Sequence, residues 1–309
     1  MNCTCICYDI HGTETVLTEC IRFSLLRERY LPFSSLSLTV RCGEMETPVR
    51  IRFLLDGRTL MDGTVHRADV SLRGGLRTLT ATVRSFTAAL AKNQLEPGVH
   101  YDVTLDSLMQ TYALPHVTYQ TGMAAVGYIY VKEHTPMWSA VSAYNFKLCG
   151  GFPYVRADNL LCVMPQPERD PVVLPDGLIL RGEQCSSGAI VSRVVMASFD
   201  GEYGRYAADN PEAAAREIVS VRQMAFDMQF IYDPEDALRY QIALSNRRLS
   251  AETAAYSGYC GEDIGDAVTA GGKNAFVGKI VIRGDSKGIV TEDTFYYDSF
   301  CNRALSAAS

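Results

Sequence analysis

The sequence predicts a β-rich α+β protein with two small β-barrel-like domains, a helix-hairpin module between them and one helix inserted in the second half. Three observations support this prediction. Apolar and polar residues alternate in both halves, the apolar period becomes helical in the middle, and four prolines cluster between Pro165 and Pro175. Alternation is typical of strands with one buried face, and a period near 3.6 is typical of amphipathic helices.

Residues 1–84 form the first predicted β-barrel domain. Alternation runs from Cys20 to about Arg84, for example in Val-Arg-Ile-Arg-Phe at 49–53. The Leu-Asp-Gly-Arg turn at 55–58 followed by residues 59–70 indicates a hairpin, and 76–84 indicates a further strand. Five or six strands are enough for a small barrel.

Residues 85–164 form the predicted helical and helix-hairpin module. Ser85 and Thr104 each offer a side-chain oxygen that can cap a short helix. A longer helix is expected to begin at Thr135, with Pro136 at the first helical position, and to end at Gly150. Its apolar face consists of Met137, Val141, Tyr144 and Leu148. A hairpin with strands at 152–155 and 160–164 follows.

Residues 165–175 form a predicted Pro-rich linker, because proline removes backbone donors and favours extended chain. The second β-barrel domain is predicted at 176–309, with an inserted helix at about 233–250 that starts at Asp233-Pro234-Glu235-Asp236. Strands are predicted at 178–181, 190–199, 218–230, 275–283 and 288–298, and a short helix at 211–216.

Composition narrows the function classes. The 309 residues are 47% apolar and carry a formal net charge of −6, so the chain can bury sizeable cores and lacks the basic footprint of direct nucleic-acid binding. No apolar run approaches the roughly 18 residues of a membrane helix, and Met1–Ile10 lacks a signal-peptide pattern. We therefore expect a soluble protein without membrane insertion, made in the cytoplasm, whose ten cysteines are reduced.

Cys3, Cys5 and Cys7 alternate, so on a strand their thiols would point the same way about 7 Å apart. Compact zinc sites instead use cysteine pairs in turns, and no matching pair is nearby. We therefore expect a flexible or edge-strand terminus with reduced thiols, and no metal site.

The histidines and the remaining thiols provide weak candidates. His100, His116 and His134 do not form a spaced metal motif, and loop or capping roles account for them. Cys149 with His134 could form a nucleophilic pair, but Cys149 at a helix end beside glycine is explained by packing.

Two carboxylate pairs could supply the acid and base of glycoside hydrolysis, Glu235 with Asp236 and Asp263 with Asp266. The first is explained by helix capping, and glycine turns surround the second. Trp138 beside an apolar helix face indicates core rather than ligand stacking. With no nucleotide-binding glycine motif either, we predict no enzyme, no catalytic or metal-binding residues and no cofactor.

The order of these features resembles phage tail hub proteins of the late control gene D type. The resemblance covers about Ile21 to Phe300, and it rests on collinear pieces rather than on one motif. These pieces are 51–70, 76–84 running into Ser85-Phe86 and Ala89-Leu90, 104–108, 115–117, 131–138, 152–163, 233–238, 264–268 and 288–291. The first twenty residues and 199–216 depart from the family pattern.

The resemblance implies two tail-tube-like barrels per chain and a homotrimeric ring that joins a six-fold tail tube to a three-fold central spike. The implied partners are the spike, the tube, other baseplate subunits and a tape-measure protein. The implied location is the tail baseplate of a virion, or of a contractile injection system or tail-like bacteriocin, assembled in the bacterial cytoplasm. The alternatives are a distal tail or tube-adaptor protein, which a single barrel would favour, and a tail-associated cell-wall hydrolase, which a catalytic pocket would favour.

Overall fold

The structure is a computed structural model that describes residues 2–165, 170–175, 177, 180–186 and 188–296. Strands dominate it, as the sequence predicts. The first part contains β1 (Cys3–Tyr8), β2 (Glu14–Leu17), β3 (Cys20–Glu28), β4 (Ser35–Arg41), β5 (Arg50–Leu55), β6 (Arg58–Arg73) and β7 (Leu76–Ser85).

The middle part mixes short helices and short strands. A 3-10 turn (Phe86–Ala88) leads into α1 (Ala89–Lys92), β8 (Gly98–Val103), α2 (Leu105–Met109), β9 (Thr118–Tyr119), β10 (Val126–Val131), α3 (Met137–Cys149), β11 (Tyr154–Val155) and β12 (Leu160–Cys162).

The last part returns to strands. It contains β13 (Val172–Val173), β14 (Leu180–Cys185), β15 (Arg193–Met196), β16 (Tyr206–Asp209), α4 (Pro211–Ala214), β17 (Val221–Met224), a 3-10 turn (Met228–Phe230), α5 (Pro234–Asn246), β18 (Ser250–Ser257), β19 (Ala267–Ala270), β20 (Lys273–Asp285) and β21 (Gly288–Tyr296). Residues 297 and 298 of the last predicted strand, and 178 and 179 of an earlier one, lie outside the described residues.

The first part is barrel-like. Its antiparallel strands follow the order β3-β4-β7-β6-β5-β1-β2, and β1 also lies against β3. Buried apolar side chains fill the interior, including Leu25, Leu36 and Phe53.

The expectation of a flexible or edge-strand N-terminus is wrong. β1 has β5 on one side and β2 on the other, so it is an interior strand. Cys3, Cys5 and Cys7 are almost completely buried in the core of the first part. Cysteine packs as a small apolar residue, which explains why three alternating thiols can form the inner face of a strand.

Strands of the second part continue the same sheet. β14, β18, β21 and β20 are neighbours in this order, with β19 and β13 on the other side of β20. β20 also pairs with β3, from Lys279 opposite Glu28 to Gly284 opposite Phe23. Gly284 permits this junction because a Cβ there would overlap the Phe23 ring. One 13-stranded sheet therefore extends through both predicted barrel domains.

The second part also contains a small inserted module of its own. β15 pairs with β16 and β17, not with the large sheet, and α5 packs on β15 and β16. The predicted strands at 190–199 and 218–230 thus belong to this module rather than to a barrel. Its core contains Val194, Met196, Phe230 and Leu238.

Two of the predicted helix starts need correction. Pro136 precedes α3 in an extended conformation instead of occupying its first position, because it bridges to Gln94 while the Met137 amide donates to the Asn93 carbonyl over 2.8 Å. The Ser85 hydroxyl accepts from the Ser34 amide and does not cap the following helix.

Other local predictions hold. Thr104 forms a capping box with Ser107, and Gly150 ends α3 with a φ of 72°. Asp233 precedes Pro234 at the start of α5, although its side chain makes no capping hydrogen bond. α5 ends at Asn246, a few residues before the predicted end.

The domain boundaries at 84, 164 and 175 stay predictions. Within the predicted linker, residues 166–169 lie outside the described residues, and Val172–Val173 pairs in parallel with β19. Among the described residues, no helix is both long and apolar enough to cross a membrane.

Candidate functional site

A polar cleft of about 490 Å³ lies between β5–β6, the β11–β12 turn and the loop after β18. We call it the arginine cleft, after Arg50, Arg52, Arg58 and Arg156 in its lining. Its size is within the range of pockets that bind small ligands or peptide side chains. The cleft brings together all three predicted parts of the chain.

The alternation of β5 positions two of these arginines. Ile51 and Phe53 are fully buried in the core, so Arg50 and Arg52 project from the opposite face of the strand. Arg50 forms two hydrogen bonds with Asp62 on β6, of 2.9 and 2.7 Å, and Arg52 donates to the same carboxylate over 3.0 Å. Burial opposes ionisation, but these hydrogen bonds hold the pKa of Asp62 below its usual value.

A second ion cluster forms the inner wall. Asp263 accepts from Arg27 over 2.6 Å and from the Ala157 amide over 2.8 Å. Arg156 donates to Asp266 over 2.6 Å and lies 3.6 Å from Asp263. Burial alone would lower the pKa of Arg156, but its hydrogen bond to Asp266 and the charge of Asp263 raise it. These charges are buried and mutually compensated, as stable buried ion pairs require.

Arg58 and His116 are exposed in the lining of the cleft. The Nη1 atom of Arg58 makes one long hydrogen bond, 3.4 Å, to the Cys260 carbonyl. No carboxylate lies within ion-pair distance of Arg58 in the part of the chain that the structure describes. His116 stacks on Phe86 and has its Nε2 3.4 Å from Arg50 Nη1. Unlike the paired arginines, Arg58 can redirect its donors at little cost.

In the structure, three of the four carboxylates of the two candidate pairs form ion pairs with arginines. Asp263 and Asp266 are ion-paired with Arg27 and Arg156. Glu235 is exposed in the first turn of α5, and Asp236 there pairs with Arg239. Burial raises the pKa of Asp236 against the opposing charge of Arg239, but neither Asp236 nor Glu235 lines the arginine cleft, where glycoside hydrolysis would need its acid.

Two carboxyl groups with raised pKa values, Asp293 and Glu262, lie buried outside the cleft. Burial first, then Glu262, raises the pKa of Asp293 to about 9, and burial also raises the pKa of Glu262. Both residues are fully buried. Tyr256 donates a hydrogen bond to Glu262. Because neither carboxyl lines the arginine cleft, they offer no acid to a substrate there.

The remaining sequence candidates lie apart from the cleft. His100 contacts the Glu96 carbonyl, and His134 is exposed in a turn with a φ of 60°. The Cys149 thiol donates to Asn145. Trp138 is half-buried against the core of the middle part, in agreement with its predicted role. Among the described residues, no group of three or more metal-ligating side chains comes together.

Known proteins share this architecture, although their sequences have diverged far from this one. No protein-family model matches the chain, and no curated protein matches its sequence. A tail protein of Neisseria meningitidis superposes with a TM-score of 0.73 at 14% identity, over 97% of this chain and 98% of its own. A 43 kDa tail protein of prophage MuSo2 from Shewanella oneidensis superposes with a TM-score of 0.69 at 11% identity, over 96% and 97%.

The chain has the fold of phage tail proteins. A component of the type VI secretion system of Escherichia coli, described as similar to bacteriophage T4 tail proteins, shares this fold with a TM-score of 0.53. Its identity is 8%, over 91% of this chain and 74% of its own. At the level of the fold, the predicted resemblance to phage tail hub proteins is confirmed.

This tail-protein fold extends through the two segments whose sequences depart from the family pattern. The first twenty residues supply β1 and β2, and residues 199–216 supply β16 and α4 of the inserted module. Sequence reasoning missed the arginine cleft. The signal was Arg50 and Arg52 on one predicted strand and Arg58 in the turn that follows it, but nothing local indicated that Arg156 would join them.

Proposed function

We propose that the protein is a structural baseplate hub subunit, which forms a trimeric ring between the tail tube and the central spike of a phage tail or a phage-like contractile particle. The observation that carries this proposal is the presence of two strand-rich parts in one chain, joined edge to edge through β3 and β20. Three such chains would present six related surfaces to a six-fold tube and three copies of each contact to a spike.

The sheet edges support assembly into a ring. β2 and β14 stand at the two ends of the large sheet, each with one strand neighbour among the described residues. An end strand carries unpaired amide and carbonyl groups that can pair with another chain. Exposed apolar side chains such as Val16 on β2 and Leu72 on β6 add surface that contact with another subunit would bury.

The proposal includes partners, location and the absence of enzymatic activity. We infer contacts with spike, tube, other baseplate subunits and a tape-measure protein, in a baseplate assembled in the bacterial cytoplasm. Two strand-rich parts in one chain favour the hub over a single-barrel distal tail or tube adaptor. The carboxylates beside the cleft are ion-paired with arginines, and Asp293 and Glu262 are fully buried. These positions give no support to a cell-wall hydrolase.

The mass and shape of the purified chain test this proposal. Light scattering should give about three times the 34.1 kDa of one chain, and negative-stain images should show a three-fold ring with a central opening. If the chain stays monomeric, mass spectrometry of purified particles from the producing cells provides the second measurement. A monomer that is also missing from the tail fraction would refute the hub assignment, and lysis of cell walls by the pure chain would favour the hydrolase.

A further inference from the structure

We propose that the arginine cleft is a docking site for an acidic peptide segment of a neighbouring protein, with Arg58 and the outer end of Arg52 binding a carboxylate. Four arginines and three aspartates line the cleft, together with His116. The balance of charge is therefore positive in a chain whose total charge is −6. A positively charged cleft on a negatively charged protein favours acidic partners.

Asp62 and Asp263 do not occupy all the N–H donors of the cleft arginines, so some donors are available to a partner. Asp62 is held by Arg50 and Arg52, and Asp263 by Arg27 and the Ala157 amide. Arg52 uses its Nε for this contact, so its two terminal nitrogens project beyond the pair with 38% of the side chain exposed. Together with Arg58, these nitrogens can bind a planar carboxylate in the paired geometry that guanidinium groups favour.

The cleft is also shaped to hold Arg58 beside the opening. Its guanidinium lies over Gly261, where a Cβ would overlap Nη1. Gly261 has a φ of 97°, a conformation that glycine adopts without strain. The loop after β18 thus leaves space for the arginine without fixing it in an ion pair.

Several features favour a peptide over a single small anion. The volume of about 490 Å³ exceeds what one phosphate fills, and the floor includes the buried Leu60 and the half-buried Leu160. Such a floor suits the methylene groups of an acidic side chain. Asp158 is the remaining carboxylate of the lining. It is exposed, and its carboxylate accepts a hydrogen bond from the Leu160 amide over 3.3 Å. Its negative charge would disfavour a compact, multiply charged anion such as phosphate.

The test uses the isolated full chain and hexaglutamate as the probe, with hexaglutamine as the neutral peptide, in calorimetric titrations at low salt. Hexaglutamate should bind and hexaglutamine should not. Arg58→Ala should weaken hexaglutamate binding roughly tenfold, and Arg58→Lys less, because lysine keeps the charge but loses the planar fork. Arg67→Ala is the matched control. Arg67 lies on the same strand, β6, with 77% of its side chain exposed, and its loss should change binding less than about twofold.

Each alternative outcome contradicts the proposal in a distinct way. Equal weakening by Arg58→Ala and Arg67→Ala would mean non-specific attraction to the surface. Inorganic phosphate that competes as well as hexaglutamate would indicate an anion site instead of a peptide site. No binding of hexaglutamate to the unmodified chain would overturn the assignment outright. The inference goes beyond the hub role, and a negative result would leave the ring measurement unaffected.

Discussion

Replacement of Asp293 with asparagine should make the stability of this protein less sensitive to pH. Asp293 lies on β21, opposite Ala254 of β18 and Ile280 of β20, and is fully buried. Neither of its carboxyl oxygens has a hydrogen-bond partner among the described residues. Burial, reinforced by Glu262 and then Glu292, raises its pKa to about 9.

The direction follows from proton binding in the two states. Between pH 4 and 9 the folded protein keeps the Asp293 proton, whereas the unfolded chain, with a pKa near 3.8, has lost it. Unfolding therefore releases a proton, and the free energy of unfolding falls with rising pH by at most about 1.4 kcal/mol per pH unit from this group. The contribution is fully favourable below the unfolded pKa, and it stops falling above the folded pKa.

Asp293→Asn removes this titration while keeping the shape of the side chain. At pH 5, only slightly above the unfolded pKa, we expect the variant and the parent protein to differ by no more than about 2 kcal/mol. At pH 8 the difference should have moved in favour of the variant by up to about 4 kcal/mol, the limit set by one proton. Coupling to Glu262, whose pKa is also raised, shares that proton release between two carboxyls.

Urea unfolding followed by circular dichroism at pH 5, 6, 7 and 8, at constant ionic strength, measures this difference. Asp209→Asn is the matched control, because it is the same substitution at a carboxylate whose side chain is 75% exposed and lies 3.3 Å from Arg193. Its effect should be small at every pH. A constant difference between Asp293→Asn and the parent protein from pH 5 to 8 would show that the buried carboxyl does not carry a proton in the folded state.

The remaining predictions concern the ion cluster, the core and one close strand contact, all measured by denaturant unfolding. Arg156→Ala should cost about 3–5 kcal/mol, because it leaves buried carboxylates uncompensated; a loss below about 1 kcal/mol would contradict the proposed role of the cluster. Phe53→Ala should cost about 3–5 kcal/mol, since the ring is fully buried 4.8 Å from Phe23; a surface-like effect would argue against this core. Gly63→Ala should cost about 1–3 kcal/mol, because its Cβ would overlap a carbonyl of β7, whereas Gly127→Ala, in open space, should be nearly neutral; equal effects would disprove the close contact.

Local sequence features predicted the elements whose conformation depends on near neighbours. The β5–β6 turn, the cap at Thr104 and the glycine that ends α3 were all predicted from residues within a few positions of each other. Their physical causes are short-range, since a capping oxygen meets amides of the next turn and a glycine relieves strain at its own φ. The same reasoning predicted alternating strands but not their partners.

Contacts between distant parts of the chain decided the rest. Cys3, Cys5 and Cys7 were expected at a flexible or edge-strand terminus, yet pairing of β1 with both β5 and β2 buries them. The strand predicted at 190–199 joined a small inserted sheet because its apolar residues could pack against α5 instead of a barrel. Alternation specifies that one face is buried, but it contains no information about which surface covers it.

The sequence by itself determined that the chain is rich in strands, that it has two β-rich parts with helices between and within them, and that it lacks recognisable catalytic motifs. The tertiary structure alone decided that β3 and β20 join those parts into one sheet, and that Arg50, Arg52, Arg58 and Arg156 face one cleft. The reason is that hydrogen bonding and charge pairing depend on distance in space. Arg58 and Gly261 become neighbours only after both parts of the chain have folded.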